Sequence, residues 1–187
     1  HLNAGVQDGS TADACIAHLP GHACTIMVAD CLPVLLASVD GAVVAAAHAG
    51  WRGLAGDPRS GTGILEATLL AMRQQLMVGG SRDMPDIVAW LGPCIGPDAF
   101  EVGQEVKTAF ANQGDGCFRP SDRPDHYYAN LSALARLRLI RAGVSAVYGN
   151  DGSSTWCTFA QPERFFSHRR DASLHGTTGR MAVSIWR

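Results

Sequence analysis

Apolar positions along this chain gather into two long runs, Thr25 to Leu36 and Ala42 to Ala47, separated by Ser38-Val39-Asp40-Gly41. An Asp-Gly pair between β-branched runs is a strong short-range signal for a two-residue turn, so the stretch predicts a buried hairpin. With Asp40 and Gly41 at the centre of that turn, Val39 pairs with Ala42 and Pro33 falls opposite His48. Side chains alternate along a strand, so Cys31 shares the face of Pro33 and becomes the diagonal neighbour of His48. Diagonal positions lie roughly 7–8 Å apart, which lets a thiolate and an imidazole converge on one ion or one substrate atom.

The pattern elsewhere mixes the two periods. Thr11 to Ile16 opens a short strand that turns at Pro20-Gly21, and Gly53 to Gly63 is a breaker-rich exposed loop. Leu65, Leu69, Met72 and Leu76 recur at helical spacing. Ile87 to Leu91 is a short strand that ends at Gly92-Pro93. Asp98 and Glu101 have the spacing of a capping box, with Val102, Val106, Ala109 and Phe110 as the stripe of a helix behind it. Asn112 to Asp125 is a loop by composition, and a further helix is expected from about Tyr127 to Ala142 with Gly143 as its stop. Ala146 to Tyr148 and Met181 to Trp186 complete the strands. Helices and strands alternate but the hairpin is antiparallel, which predicts an α+β fold of mixed β-sheets flanked by helices rather than a doubly wound parallel sheet.

The 187 residues suit a single domain, 1–187, with a sizeable core. A formal net charge of -2 argues against nucleic acid or an anionic membrane as partner and favours small molecules. No apolar run approaches the ~20 residues of a membrane span, and no basic-then-apolar leader opens the sequence. Six cysteines without dense or CxxC spacing read as free thiols, which points to a cytoplasmic location.

Chemistry-bearing residues concentrate in two places. His48 runs into Ala49-Gly50-Trp51-Arg52-Gly53, where glycines let the backbone approach a ligand and Arg52 offers a planar fork for phosphate or carboxylate. Phe165-Phe166-Ser167-His168-Arg169-Arg170-Asp171 carries two adjacent arginines, either a solvated charge run or an anion clamp. Neither string is specific alone. Together with Ala29-Asp30-Cys31-Leu32-Pro33-Val34-Leu35, Leu91-Gly92-Pro93, Ile95-Gly96-Pro97, Phe100-Glu101-Val102-Gly103 and Thr178-Gly179-Arg180-Met181-Ala182, they resemble the YfiH-like family in the same order from Thr11 onward. That family also carries the label laccase-domain or multicopper polyphenol oxidase-like.

The resemblance implies a zinc-dependent purine nucleoside phosphorylase, acting on adenosine, inosine or guanosine with methylthioadenosine as a further substrate, that also deaminates adenosine. It implies a layered α/β sandwich and zinc ligands at Cys31 and His48. Cys31, His48 and Arg52 are the candidate catalytic residues, and Arg52, Arg169 and Arg170 are the candidates for holding phosphate. The family's third ligand, a histidine in an upstream string, has no match here; His1 stands eleven residues before Ala12 and outside any such string. The family's N-terminal section is likewise expected to be missing. Two rival chemistries stay open: a metal-free cysteine hydrolase with Cys31 as nucleophile and His48 as base, and copper-dependent phenol oxidation. The sequence leaves the number of subunits open.

Overall fold

The computed structural model describes residues 11–78, 85–111 and 114–187. Along them run β1 (Ala14–Ala17), β2 (Ala23–Val28), β3 (Leu32–Ser38), β4 (Val44–Ala49), α1 (Trp51–Ala55), α2 (Ile64–Val78), β5 (Ile87–Leu91), β6 (Glu101–Gly103), α3 (Gln104–Ala109), β7 (Phe118–Pro120), β8 (His126–Ala129), α4 (Leu131–Arg141), β9 (Ala146–Gly149), α5 (His168–His175) and β10 (Met181–Trp186). The hairpin of β3 and β4 forms the middle of a sheet ordered β1-β4-β3-β5-β9. Only β5 and β9 in it are parallel, so the sheet is mixed.

Both faces of the hairpin are covered, and the side-chain alternation shows by what. Val34, Leu36, Ala45 and Ala47 enter a core shared with Leu65, Leu69 and Met72 of α2 and with Leu134 and Leu139 of α4. Leu35, Ala37, Val44 and Ala46 turn the other way, toward Cys24 and Ile26 of β2 and Val183 and Ile185 of β10. Strands β2 and β10 pair with each other as a separate two-stranded sheet. The layers are therefore helices, five-stranded sheet and two-stranded sheet, the α+β arrangement of sheets flanked by helices that the pattern predicts. A strand buried on both faces reads as a continuous apolar run, which is how β3 and β4 stand out in the sequence.

The predicted register holds: Pro33 pairs with His48 and Ala37 with Val44. The turn does not. Gly41 N donates to Ser38 O at 2.8 Å and Ser38 N to Val43 O at 2.9 Å, so the connection runs from Val39 to Ala42. Gly41 alone takes a positive φ, 70°, because Asp40 uses its carboxylate to accept from Ala42 N at 3.0 Å. A loop longer by one residue on each strand preserves the pairing, so the site's geometry survives the error.

Three further expectations are corrected. The apolar run from Thr25 to Leu36 is two strands in two sheets, broken at Asp30, which sits at φ 82°. No helix starts at Asp98. Phe100 leads into β6, which pairs with β8, while Asp98 faces Arg119 at 3.1 Å and the helix begins at Gln104. The helix expected from Tyr127 begins at Leu131, since Tyr127 and Tyr128 belong to β8 and Asn130 is the true cap, accepting from Ala133 N at 2.9 Å. Gly143 stops that region as expected, at φ 80°.

Candidate functional site

Cys31 owes its place to the residue before it. A left-handed φ at a non-glycine residue costs of order 1–3 kcal/mol and persists only where contacts hold it. Asp30 is buried, and its carboxylate accepts from Thr158 Oγ1 at 2.6 Å and from the Arg169 backbone N at 2.6 Å, while its carbonyl accepts from Ile95 N at 2.9 Å. These bonds pin the start of β3 to the 95–97 turn, the 157–158 segment and the first turn of α5. Cys31 thus leaves the bend in a set direction, half-buried at the end of the hairpin remote from its turn.

His48 arrives at the same end on β4. Its backbone N donates to the carbonyl of Asp13 at 2.7 Å, and its Nδ1 lies 3.2 Å from Asp13 Oδ1. A Cβ placed on Gly50 would stand 3.1 Å from the Cys31 sulfur and 4.0 Å from Cε1 of His48, so sulfur and ring crowd the space this glycine leaves open. The predicted convergence of Cys31 and His48 is present. Hydrogen bonding to the Cys31 sulfur, reinforced by Asp13 and opposed by burial, raises the His48 pKa to about 9. At neutral pH the ring therefore carries a proton that a metal ion would have to displace.

Cys31, His48 and Arg52 line one cavity of about 260 Å³, together with Asp13, Gly50, Trp51 and Gly53. The turn after β4 is not a bare loop but the short helix α1, with Arg52 at its second position and its guanidinium 4.4 Å over the Trp51 ring. Stacking holds the fork over a ring at the cavity wall while leaving its donors to a ligand.

The arginine pair of α5 divides. Arg169 lines a neighbouring cleft of about 350 Å³ with Phe100, Arg123 and His126, and that cleft shares Trp51 with the first cavity. Its Nη1 donates to Glu101 O at 3.1 Å. Arg170 lines a further cleft of about 520 Å³ together with Arg169, with its guanidinium already engaged. Its guanidinium donates to the carbonyls of Thr158 at 2.7 Å and Phe165 at 2.8 Å and to Asp171 Oδ1 at 2.7 Å, clamping its own segment. The structure brings Cys31, His48 and Arg52 together, puts Arg169 next door, and sets Arg170 outside that cavity with its guanidinium bonded to its own segment.

One zinc-compatible feature is the donor set itself. A thiolate and an imidazole suit a borderline-soft ion, and a ligating histidine is commonly held through its other nitrogen by a carboxylate, as Asp13 holds His48. Among the described residues no three His, Cys, Asp or Glu side chains converge for a metal, and Cys31 and His48 are the pair that would hold one. His1 lies outside the described residues. Asp13 and Trp51 were missed as site residues by sequence reasoning. The signal for Asp13 is the pairing of Ala14 with Ala47, which sets it beside His48 and is invisible without knowing that β1 joins β4.

Fold and site together define a layered α+β domain with a thiol, an imidazole and a guanidinium at the open end of its central hairpin. The chain belongs to the family described as multi-copper polyphenol oxidoreductase laccase, whose profile matches residues 2–187. It is 45% identical over 179 residues to a purine nucleoside phosphorylase of Xylella fastidiosa, covering 94% of this chain and 61% of that protein. The identity is also 45% over 177 residues with purine nucleoside phosphorylase YfiH of Escherichia coli, covering 94% and 63%. Among solved structures, Neisseria meningitidis protein NMB0706 superimposes with a TM-score of 0.77 at 44% identity, covering 94% of this chain and 64% of its own. YlmD from Geobacillus stearothermophilus gives 0.77 at 31% identity, covering 95% and 61%. The chain thus spans less than two thirds of the length of these relatives.

Proposed function

We propose that this chain carries the Cys31, His48 and Arg52 portion of a zinc-dependent purine nucleoside phosphorylase that also deaminates adenosine. The supporting observation is the single cavity that holds a thiol, an Asp13-bonded imidazole and a stacked guanidinium. Cys31 and His48 would hold the zinc, and zinc bound there supplies Lewis-acid activation of water. Arg52 grips phosphate through two parallel N–H donors, which a point charge cannot match. Arg169, in the cleft that shares Trp51, would hold the far side of an anionic or sugar-bearing ligand. In phosphorolysis a phosphate oxygen bonds to C1′ of the ribose as the bond to N9 of the base breaks, giving free base and ribose 1-phosphate.

Incubating the protein with inosine or adenosine and labelled phosphate tests the reading. Label should enter ribose 1-phosphate at a rate that saturates with phosphate. Base release that continues unchanged without phosphate removes the assignment.

A second reading has its own support. Cys31, His48 and Asp13 stand in the order nucleophile, base and orienting acid, the relation found in cysteine hydrolases. In that case turnover survives exhaustive chelation, whereas the zinc reading expects it to vanish and to return with added zinc. Copper oxidation, which the family description suggests, predicts copper in excess of zinc on elemental analysis. No helix among the described residues is long and apolar enough to cross a membrane. The six cysteines are free thiols, which fits a cytoplasmic enzyme acting on small nucleosides.

A further inference from the structure

We propose that Asp13 is a positioning residue for His48, fixing the ring so that Nδ1 donates to the carboxylate and Nε2 is presented to the Cys31 side of the cavity. The inference rests on the reading that Cys31 and His48 share a metal ion. A carboxylate only accepts hydrogen bonds, so the nitrogen 3.2 Å from Asp13 Oδ1 must carry the proton. With that nitrogen taken, Nε2 is the ring nitrogen left for the cavity that His48 shares with Cys31. An imidazole can ligate through either nitrogen, and which one does is set by the bond the other makes.

The delivery of Asp13 is structural, whereas its side chain is not packed. Ala14 pairs with Ala47 and the Asp13 carbonyl accepts from His48 N at 2.7 Å, so the backbone of β1 brings the residue alongside the ring whatever its side chain. The side chain itself is 68% exposed. An ion pair that open adds little to folding stability. Its bond is made to the one ring that faces Cys31, at the wall of the cavity, which points to a role in the site.

Zinc affinity, read without reference to turnover, tests this on the whole chain. Protein freed of metal by chelator dialysis is titrated with zinc in competition with a chromogenic chelator. Asp13→Ala should weaken zinc binding about 10–100-fold, the usual cost of losing such a carboxylate. Asp13→Asn keeps an oxygen that accepts from Nδ1 and should recover most of that loss. Thermal midpoints of the metal-free proteins should coincide, since the backbone contact with β4 remains. An Asp13→Ala protein within about threefold of the unsubstituted chain overturns the inference, because loss of such a carboxylate should cost at least tenfold. An Asn variant as weak as the Ala variant also overturns it, showing that charge rather than an acceptor matters. If the unsubstituted chain takes up no zinc, the inference falls with the metal reading. Base release without phosphate, by contrast, would remove the phosphorylase assignment and leave these affinities standing.

Discussion

Cys31 and His48 can be judged separately as parts of a fold and as parts of a site. Both are only half-buried and neither belongs to the main core, so Cys31→Ala and His48→Ala should each cost at most about 1–2 kcal/mol of stability. Each should lose zinc and turnover together. A Cys31→Ala protein that keeps its zinc but has no turnover would favour the cysteine-hydrolase reading. His48 also sets a pH dependence in the metal-free protein. Its folded pKa, about 9, lies above the 6.5 of a free imidazole, so the stabilisation is whole below about pH 6.5 and is lost as pH rises through 9. The thermal midpoint of the metal-free chain should therefore fall between pH 6.5 and 9.5, and His48→Gln should flatten that fall. Arg52→Lys keeps the charge but loses the fork and the stacking on Trp51. It should raise the phosphate requirement of phosphorolysis more than the nucleoside requirement.

At the scale of elements, α5 joins the site to the rest of the molecule. Ser167 caps it, accepting from Arg170 N at 3.2 Å, and Asp171 accepts from Ser167 N at 3.1 Å and Thr178 Oγ1 at 2.8 Å. The Arg170 guanidinium, with those two donors, holds the Asp171 carboxyl down at about 2. Stabilisation from this group is present above about pH 4 and disappears as pH falls through 2, so α5 should loosen in that window before the sheet does. Hydrogen exchange of the Arg169 and Arg170 amides would show it. Asp30 ties α5 to β3, and Asp30→Ala removes the two bonds its carboxylate accepts while leaving an alanine to hold the left-handed bend. The expected cost is about 2–4 kcal/mol from lost hydrogen bonds and unrelieved backbone strain. Denaturant melts check the figure, and loss of zinc affinity along with it would show that the bend orients Cys31. The sequence marks this helix only as a charge run, because His168 to His175 buries no side chain and has no apolar stripe to read.

The whole molecule is held by one large core and one clamp. Leu36, Leu65, Leu69 and Met72 are fully buried between the main sheet and its helices, so Leu69→Ala should cost about 2–5 kcal/mol. Arg138 of α4 is 4% exposed and donates to Glu66 Oε1 of α2 at 2.8 Å and to Gly61 O at 2.6 Å. Glu66 is 27% exposed and still accepts from Gly63 N at 2.9 Å, so Arg138→Ala should destabilise by about 1–3 kcal/mol, through the lost charged hydrogen bonds and the Gly61 carbonyl left without its donor. Chemical denaturation of both variants separates the two effects: the leucine change should leave the 56–62 loop as protease-resistant as before, and the arginine change should expose it.

What the sequence by itself determined is what depends on near neighbours and on period. The buried hairpin, its register and the meeting of Cys31 with His48 follow from two apolar runs and the residues between them. They tolerate a wrong turn type because lengthening the loop by one residue on each strand leaves every pair facing as before. The helix at Leu65 to Leu76 and the stop at Gly143 follow from apolar spacing and from a residue free to take positive φ. Only the tertiary structure decided which strands lie side by side. Asp13 meets His48 because β1 joins β4, Arg169 meets Asp30 because α5 docks on the 28–32 bend, and Arg170 is consumed by carbonyls of its own loop. Those partners are distant in the chain, and no local preference of Asp, Arg or Gly distinguishes a residue that will find one from a residue left in water.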